Sequence, residues 1–263
     1  MKRLIAGSIA GIVLASSSAL AADMGIPLRT PPPPPPPVGW TGCYLDGGVG
    51  YGMDNVDQNL ESNPGFVPVT QTLTAGGRGW LGRLGGGCDY QFGLDGLGNF
   101  VIGAFGDYDV MNIHRTFAAG ATALAGDLNE SGAWTVGGRI GYLVTPALLS
   151  YLDGGYTQTR FDQVNFSGLV LGTSLPGFTM LPHTYHGWFL GGGTEYAFNF
   201  DWIPIRGLFW RNEYRFSSYQ AADLPILSAG VPTTSAVHLQ PYLQTITSSL
   251  VWRFNWWGGP TMQ

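Results

Sequence analysis

The residues best able to hold a metal or a haem are four histidines, His114, His183, His186 and His238, because imidazole is the commonest such ligand. All four fall in or beside polar stretches that read as loops. His183 and His186 are three apart where a loop gives way to a strand, so nothing gives them a shared aim. Chance placement in polar loops is the default reading. They stand as weak rim candidates only, with no metal and no cofactor expected. Neither an HExxH pair nor a GxSxG elbow occurs, and no enzyme is expected.

A second group is defined by spacing. In GLFWRNEYRFSSY, Arg211, Glu213 and Arg215 take one parity while Trp210, Tyr214 and Phe216 take the other. Strict alternation is the signature of a β-strand, whose successive side chains point to opposite faces. Asp46, Arg83, Asp89, Asp107, Asp109, Arg139, Asp153, Glu195 and Arg253 fall on the same charged parity of other alternating stretches. Those stretches are WTGCYLDGGVGY, WLGRLGGGCDYQF, FVIGAFGDYDV, WTVGGRIGYLV, LSYLDGGYTQT, WFLGGGTEYAF and YLQTITSSLVWRF. With the first, that makes eight strands, each long enough to cross a membrane at roughly nine to eleven tilted residues.

The connections alternate as well. Those at 54–78, 114–131, 162–183 and 220–240 run to about twenty residues, and those around Gly93–Gly98, Thr145–Ala147 and Asn199–Arg206 are tight. An even strand number with long loops on one side and short turns on the other predicts an all-β fold. The expected form is an eight-stranded antiparallel up-and-down transmembrane β-barrel. An arginine facing lipid near the midplane costs about 2–4 kcal/mol, so the charged parity must face inward and the aromatic parity outward. Trp80, Trp134, Trp188 and Tyr142 then fall where aromatic girdles are expected. A soluble calyx would have the opposite polarity.

Composition agrees. Glycine is abundant (41), aromatics make up 13% and charged residues 11%, with Lys2 the only lysine. A soluble domain carries about a quarter charged residues. The net charge of −5 gives no footprint for nucleic acid. Residues 1–21 read as a secretory signal peptide: a basic start, a short apolar run and a small-residue cleavage site ending at Ala21. Residues 22–39 are a proline-rich periplasmic segment whose seven prolines form a stiff spacer of about 20 Å. The barrel follows at 40–254 and a short tail at 255–263.

These stretches resemble the small outer-membrane β-barrel proteins of alphaproteobacteria, a "porin family" that includes surface antigens and haemin-binding proteins. The matching segments are AAD with the proline run, WTGCYLDGGVGYG, WLGRLGGGCDYQFG, GRIGYLVTPALLSYLDGGYT, WFLGGGTEYAF and the terminal LVWRF. The resemblance implies an outer-membrane location with both termini periplasmic and long loops extracellular. It also implies that Trp252 and Phe254 carry the signal read by the barrel-assembly machinery. The chain departs from the pattern in continuing beyond Phe254 and in having Cys43 and Cys88.

If the first two strands form a hairpin, residues whose numbers sum to about 131 face each other, which sets Cys43 opposite or nearly opposite Cys88. The oxidising periplasm favours a bridge. The narrow geometry of disulfides tips the balance slightly to two independent small residues facing lipid.

Eight strands enclose an interior that side chains can fill, so the charges are expected to form a paired network that blocks flow. The function expected is structural and surface-interacting. Its partners are outer-membrane lipid, the assembly machinery and, through apolar loop patches such as LVLG (169–172) and LPIL (224–227), a surface ligand or a host or phage protein. The alternative is a small porin or an uptake barrel for haem or an ion.

Overall fold

The computed structural model describes residues 39–118, 124–168, 174–198 and 207–254, and every element among them is a strand. In chain order these are β1 (Gly42–Ser62), β2 (Leu73–Leu94), β3 (Gly98–Ala118), β4 (Leu124–Thr145), β5 (Leu148–Phe161), β6 (Val164–Gly168), β7 (Ser174–Met180), β8 (His183–Ala197), β9 (Leu208–Tyr219), β10 (Ala222–Ser228) and β11 (Val231–Phe254). Eight of them form an antiparallel ring in the order β1-β2-β3-β4-β5-β8-β9-β11, which β11 closes by pairing with β1. The expected eight-stranded barrel is therefore borne out. The signal segment, almost all of the proline-rich segment, the turn at 199–206, the patch at 169–172 and the tail at 255–263 lie outside the described residues.

The long connections are a correction to the sequence reading. Most of 54–78, 114–131, 162–183 and 220–240 is strand, not loop. β1 runs 21 residues, about 70 Å of chain at ~3.3 Å per residue, roughly twice what a membrane crossing needs. β5, β8 and β9 stop sooner, and β6, β7 and β10 take over after breaks of two residues. There β4 pairs with β6, β6 with β7, β7 with β10 and β10 with β11. A second ring of eight thus continues the first, and its backbone polar groups are paired in ladders.

Two chemistries share one alternation. Towards the short-turn end of β1, Asp46 points inward and Val49 is 63% exposed. Farther along, with parity unbroken, Val56 is fully buried inside and Asp57 takes the outer side. β11 does the same in reverse, from buried Val237 and Leu239 to buried Arg253 and exposed Leu250. The barrel is apolar-out where lipid is its solvent and apolar-in where water is. In β4 a bulge between Glu130 and Gly132 also shifts the register, so Leu128 and Glu130 point inward before it and Ala133, Thr135 and Arg139 after it.

In the apolar-out zone the outer face carries a belt of exposed Leu45, Leu84, Ile102, Val136, Ile140, Leu152, Leu190, Ile246 and Leu250. Aromatic rings border it on both sides. On the far side are Tyr51 with Trp80, Trp134 with Tyr156, and Trp188 with Phe216; on the short-turn side are Phe92 with Phe100, Phe100 with Tyr142, and Trp252 with Phe254. The spanning segments lie within these borders.

Cys43 faces Cys88 in the β1–β2 register, and the two form a disulfide with Cα atoms 3.9 Å apart. This corrects the slight preference for separate thiols. The reason is register: the pair is directly opposed, with no slip from shear.

Candidate functional site

The interior of the spanning zone is built from the inward parity of all eight ring strands. It holds two linked ionic clusters. In one, Arg83 grips Asp109 with two bonds, Nε to Oδ1 at 2.7 Å and Nη2 to Oδ2 at 2.8 Å, while its Nη1 meets Glu213 at 2.6 Å. Arg215 donates to both oxygens of Asp107 at 3.0 Å and lies 2.7 Å from Glu213. Tyr151 donates its hydroxyl to the other oxygen of Glu213 at 2.9 Å.

The second cluster centres on Glu195, which is fully buried. Arg253 donates to its Oε1 from Nε and Nη2 at 2.8 and 2.7 Å, and Arg211 and Arg139 donate to its Oε2 at 3.0 and 3.1 Å. Asp89 accepts from Arg139 and Arg253, and Asp46 accepts from Arg211 at 3.3 Å. Forked guanidinium–carboxylate pairs are the strongest such contacts available to side chains. Asp153 stands apart: it is buried, and neither of its oxygens has a hydrogen-bond partner.

Aromatic faces fill what the ion pairs leave. The Arg139, Arg211 and Arg253 guanidinium carbons lie 4.7, 4.6 and 5.1 Å from the centre of the Tyr44 ring, and that of Arg215 lies 4.5 Å from Phe189. Inward glycines make the room. A Cβ at Gly87 or Gly193 would sit 2.7 or 2.8 Å from the hydroxyl of Tyr44 or Tyr151.

Apolar layers lie on both sides of the ions. Towards the short turns, Trp40, Val101, Leu143, Leu149, Phe209 and Val251 pack together. Trp40 donates its indole N–H to the Pro146 carbonyl at 3.1 Å, and its own carbonyl accepts from Arg253 at 3.2 Å. At the far end, Val56, Leu60, Ile113, Leu128, Phe161, Phe166, Ile226 and Leu239 form a larger core. Ile226 is 1% exposed, so the LPIL stretch is strand and core in part, not a free loop patch.

Sequence reasoning missed one buried polar group. Asp54 and Arg115 pair at 2.5 Å, and Glu130 accepts from Thr159. Asp54, Arg115 and Glu130 sit in strand extensions read as loops, so only recognising the inverted alternation could have found them. Glu130 lies four residues beyond the girdle residue Trp134 on β4, outside the spanning zone. Burial, reinforced by the nearby Asp54 charge, pushes its carboxyl up to about 8.

The histidines are also placed differently from expectation: His114 is in β3, His183 and His186 in β8, and His238 in β11. His186 and the Tyr156 hydroxyl form a hydrogen bond through Nδ1, and the His183 ring meets Tyr185 edge-on at 4.7 Å. Trp252 and Phe254 end β11 on the outer face, their rings 5.5 Å apart.

No protein-family model matches the chain. It is 30% identical over 209 residues to the 31 kDa outer-membrane immunogenic protein of Brucella melitensis, covering 77% of this chain and 83% of that one. The chain belongs to that outer-membrane family. The Brucella suis protein of the same description matches over the same shares at the same identity. Among solved structures, OprG of Pseudomonas aeruginosa aligns over 82% of this chain and 99% of its own at 11% identity, with a TM-score of 0.43. Membership in the 31 kDa immunogenic family makes this an outer-membrane β-barrel protein of the surface-antigen type.

Proposed function

We propose that this barrel is a structural and surface-interacting protein of the outer membrane whose lumen is closed. The observation that carries this reading is the layering of the interior: an aromatic layer around Trp40, then the two ionic clusters, then the far-end apolar core. Water or a solute crossing the barrel would have to break buried ion pairs and then part an apolar core. The non-enzymatic reading is supported by the relatives, which are named as immunogenic outer-membrane proteins.

In this reading the short turns and both termini face the periplasm and the second ring stands outside the cell. Residues 1–21 are a cleaved signal peptide, 22–39 a proline-rich periplasmic segment and 255–263 a C-terminal tail. Trp252 and Phe254, aromatic and outward-facing, are the residues for the assembly machinery to read, and the exposed belt is the surface for lipid. The second ring is the contact surface for a ligand or a host or phage protein.

Single-channel recording in planar bilayers tests the closed lumen. The refolded protein should give no discrete steps in 1 M KCl, while steady unitary conductance would favour the small-porin reading.

A further inference from the structure

On the outer face of the second ring, three adjacent strands bring a histidine and two carboxylates together. His238 on β11 is registered opposite Asp223 on β10 and opposite Asn59 on β1, and Glu61 lies two residues beyond Asn59. His238 Nδ1 is 2.5 Å from Asp223 Oδ1 and 3.9 Å from Glu61 Oε1, and one ligand atom from each residue falls within 4.8 Å of the others. We propose that Glu61, Asp223 and His238 bind a divalent transition-metal ion of the zinc class.

Glu61 is the decisive member. It points outward, yet it is only 5% exposed, because the β1–β2 connection folds over it with Pro68 bridged to Glu61 and Val69 bonded to the Leu60 carbonyl. Asn59 donates to Glu61 Oε1 at 3.2 Å and fixes its aim, while Oε2 is buried with no hydrogen-bond partner. A carboxylate withdrawn from water keeps its charge only where a cation or hydrogen bonds compensate it, and Glu61 has one hydrogen bond. Among the described residues no arginine pairs with it; the nearest cationic candidate is His238 itself, at 3.9 Å. A metal ion would supply the missing charge.

The geometry suits such an ion. Bonds of about 2.0–2.2 Å to nitrogen and oxygen place neighbouring ligand atoms roughly 3–4 Å apart, and the three atoms here lie within 4.8 Å of one another. The imidazole nitrogen selects zinc, cobalt, nickel or copper over magnesium, calcium and manganese, which favour oxygen ligands. His238 and Asp223 are each about one-third exposed, so solvent reaches the site from one side and completes the coordination shell. A bound ion would join β1, β11 and β10 where the second ring closes.

The test uses untagged, full-length mature protein refolded in detergent micelles and titrated with Co2+. The expected result is a saturable visible absorption at one equivalent, displaced by Zn2+ and unaffected by excess Ca2+. His238→Ala, Glu61→Gln and Asp223→Asn should each weaken binding by about tenfold or more. His186→Ala, which alters the other partnered ring nitrogen on the outer face, should leave it unchanged. The two amide variants preserve shape, and heat-modifiable migration verifies folding of each. An absorption that survives in all three ligand variants would overturn the proposal, as would no saturable binding to the wild type or displacement of Co2+ by Ca2+.

Discussion

Glu195 is the most informative position to perturb, since one carboxylate serves three guanidinium groups. Glu195→Gln keeps its shape and removes one charge from a cluster of Arg139, Arg211 and Arg253 with Asp46, Asp89 and Glu195. Three positive and three negative charges sum to zero, and after the change the cluster carries one excess positive charge in a site with almost no water contact. Removing one partner of a buried ion pair destabilises by about 3–5 kcal/mol. Here Arg139 and Arg253 keep Asp89, and Arg211 keeps Asp46, so the lower end, about 3 kcal/mol, is expected. Against a total stability of about 5–15 kcal/mol that is a large loss. Urea unfolding in lipid vesicles, followed by tryptophan fluorescence, measures it. Asp95→Asn in the exposed β2–β3 turn is the control and should shift stability by less than about 0.5 kcal/mol. A loss below about 1 kcal/mol for Glu195→Gln would refute the view that the interior ions hold the barrel together.

Reducing the Cys43–Cys88 bond, or replacing both with serine, should lower stability by up to about 4 kcal/mol, the chain-entropy value for closing a loop of this length. Denatured, unreduced protein should show no free thiol, and two titrated thiols would contradict the bond. Glu130 gives a pH dependence. Its carboxyl is raised to about 8 when folded, so between the ordinary carboxylate range and pH 8 the folded state holds a proton that the unfolded state has released. Stability therefore falls as pH rises through that window, and Glu130→Gln should flatten the slope in urea midpoints taken from pH 4 to pH 9. Among single-cysteine variants made in a background lacking Cys43 and Cys88, Trp210→Cys should react with a lipid-soluble maleimide. Arg211→Cys should resist both that reagent and a membrane-impermeant one, and the reverse order would invert the assignment of faces.

The spanning zone was legible because its chemistry is extreme. Arg83, Arg139, Arg211, Arg215 and Arg253 share a parity that lipid forbids on the outside, and that one constraint orients the ring strands. The strand extensions were illegible for the same reason. Past Met53 on β1 the inward set mixes Asp54 and Gln58 with Val56 and Leu60, so a reader following polar-in alternation loses the pattern and writes a loop. The bulge at Ser131 conceals Glu130 further by breaking the parity of β4. Asp223 and His238 illustrate a third obstacle. They are fifteen residues apart and meet only because β10 pairs back onto β11, a fact of register that no local spacing encodes.

With the second ring outside the cell, as proposed, its pleated sheet would constrain how an antibody could recognise the protein and how the surface could vary. An antibody footprint of about 800 Å² would cover several neighbouring strands at once. Along the outer face it would read Asp57 on β1 beside Gln240 on β11, and Asp223 on β10 beside His238, residues remote in sequence that the ladders pair. The epitope would be discontinuous, and a linear peptide copied from any one connection would carry only a thin stripe of it. Escape from such an antibody could use only alternate positions, because the intervening residues pack the apolar core and are not free to drift.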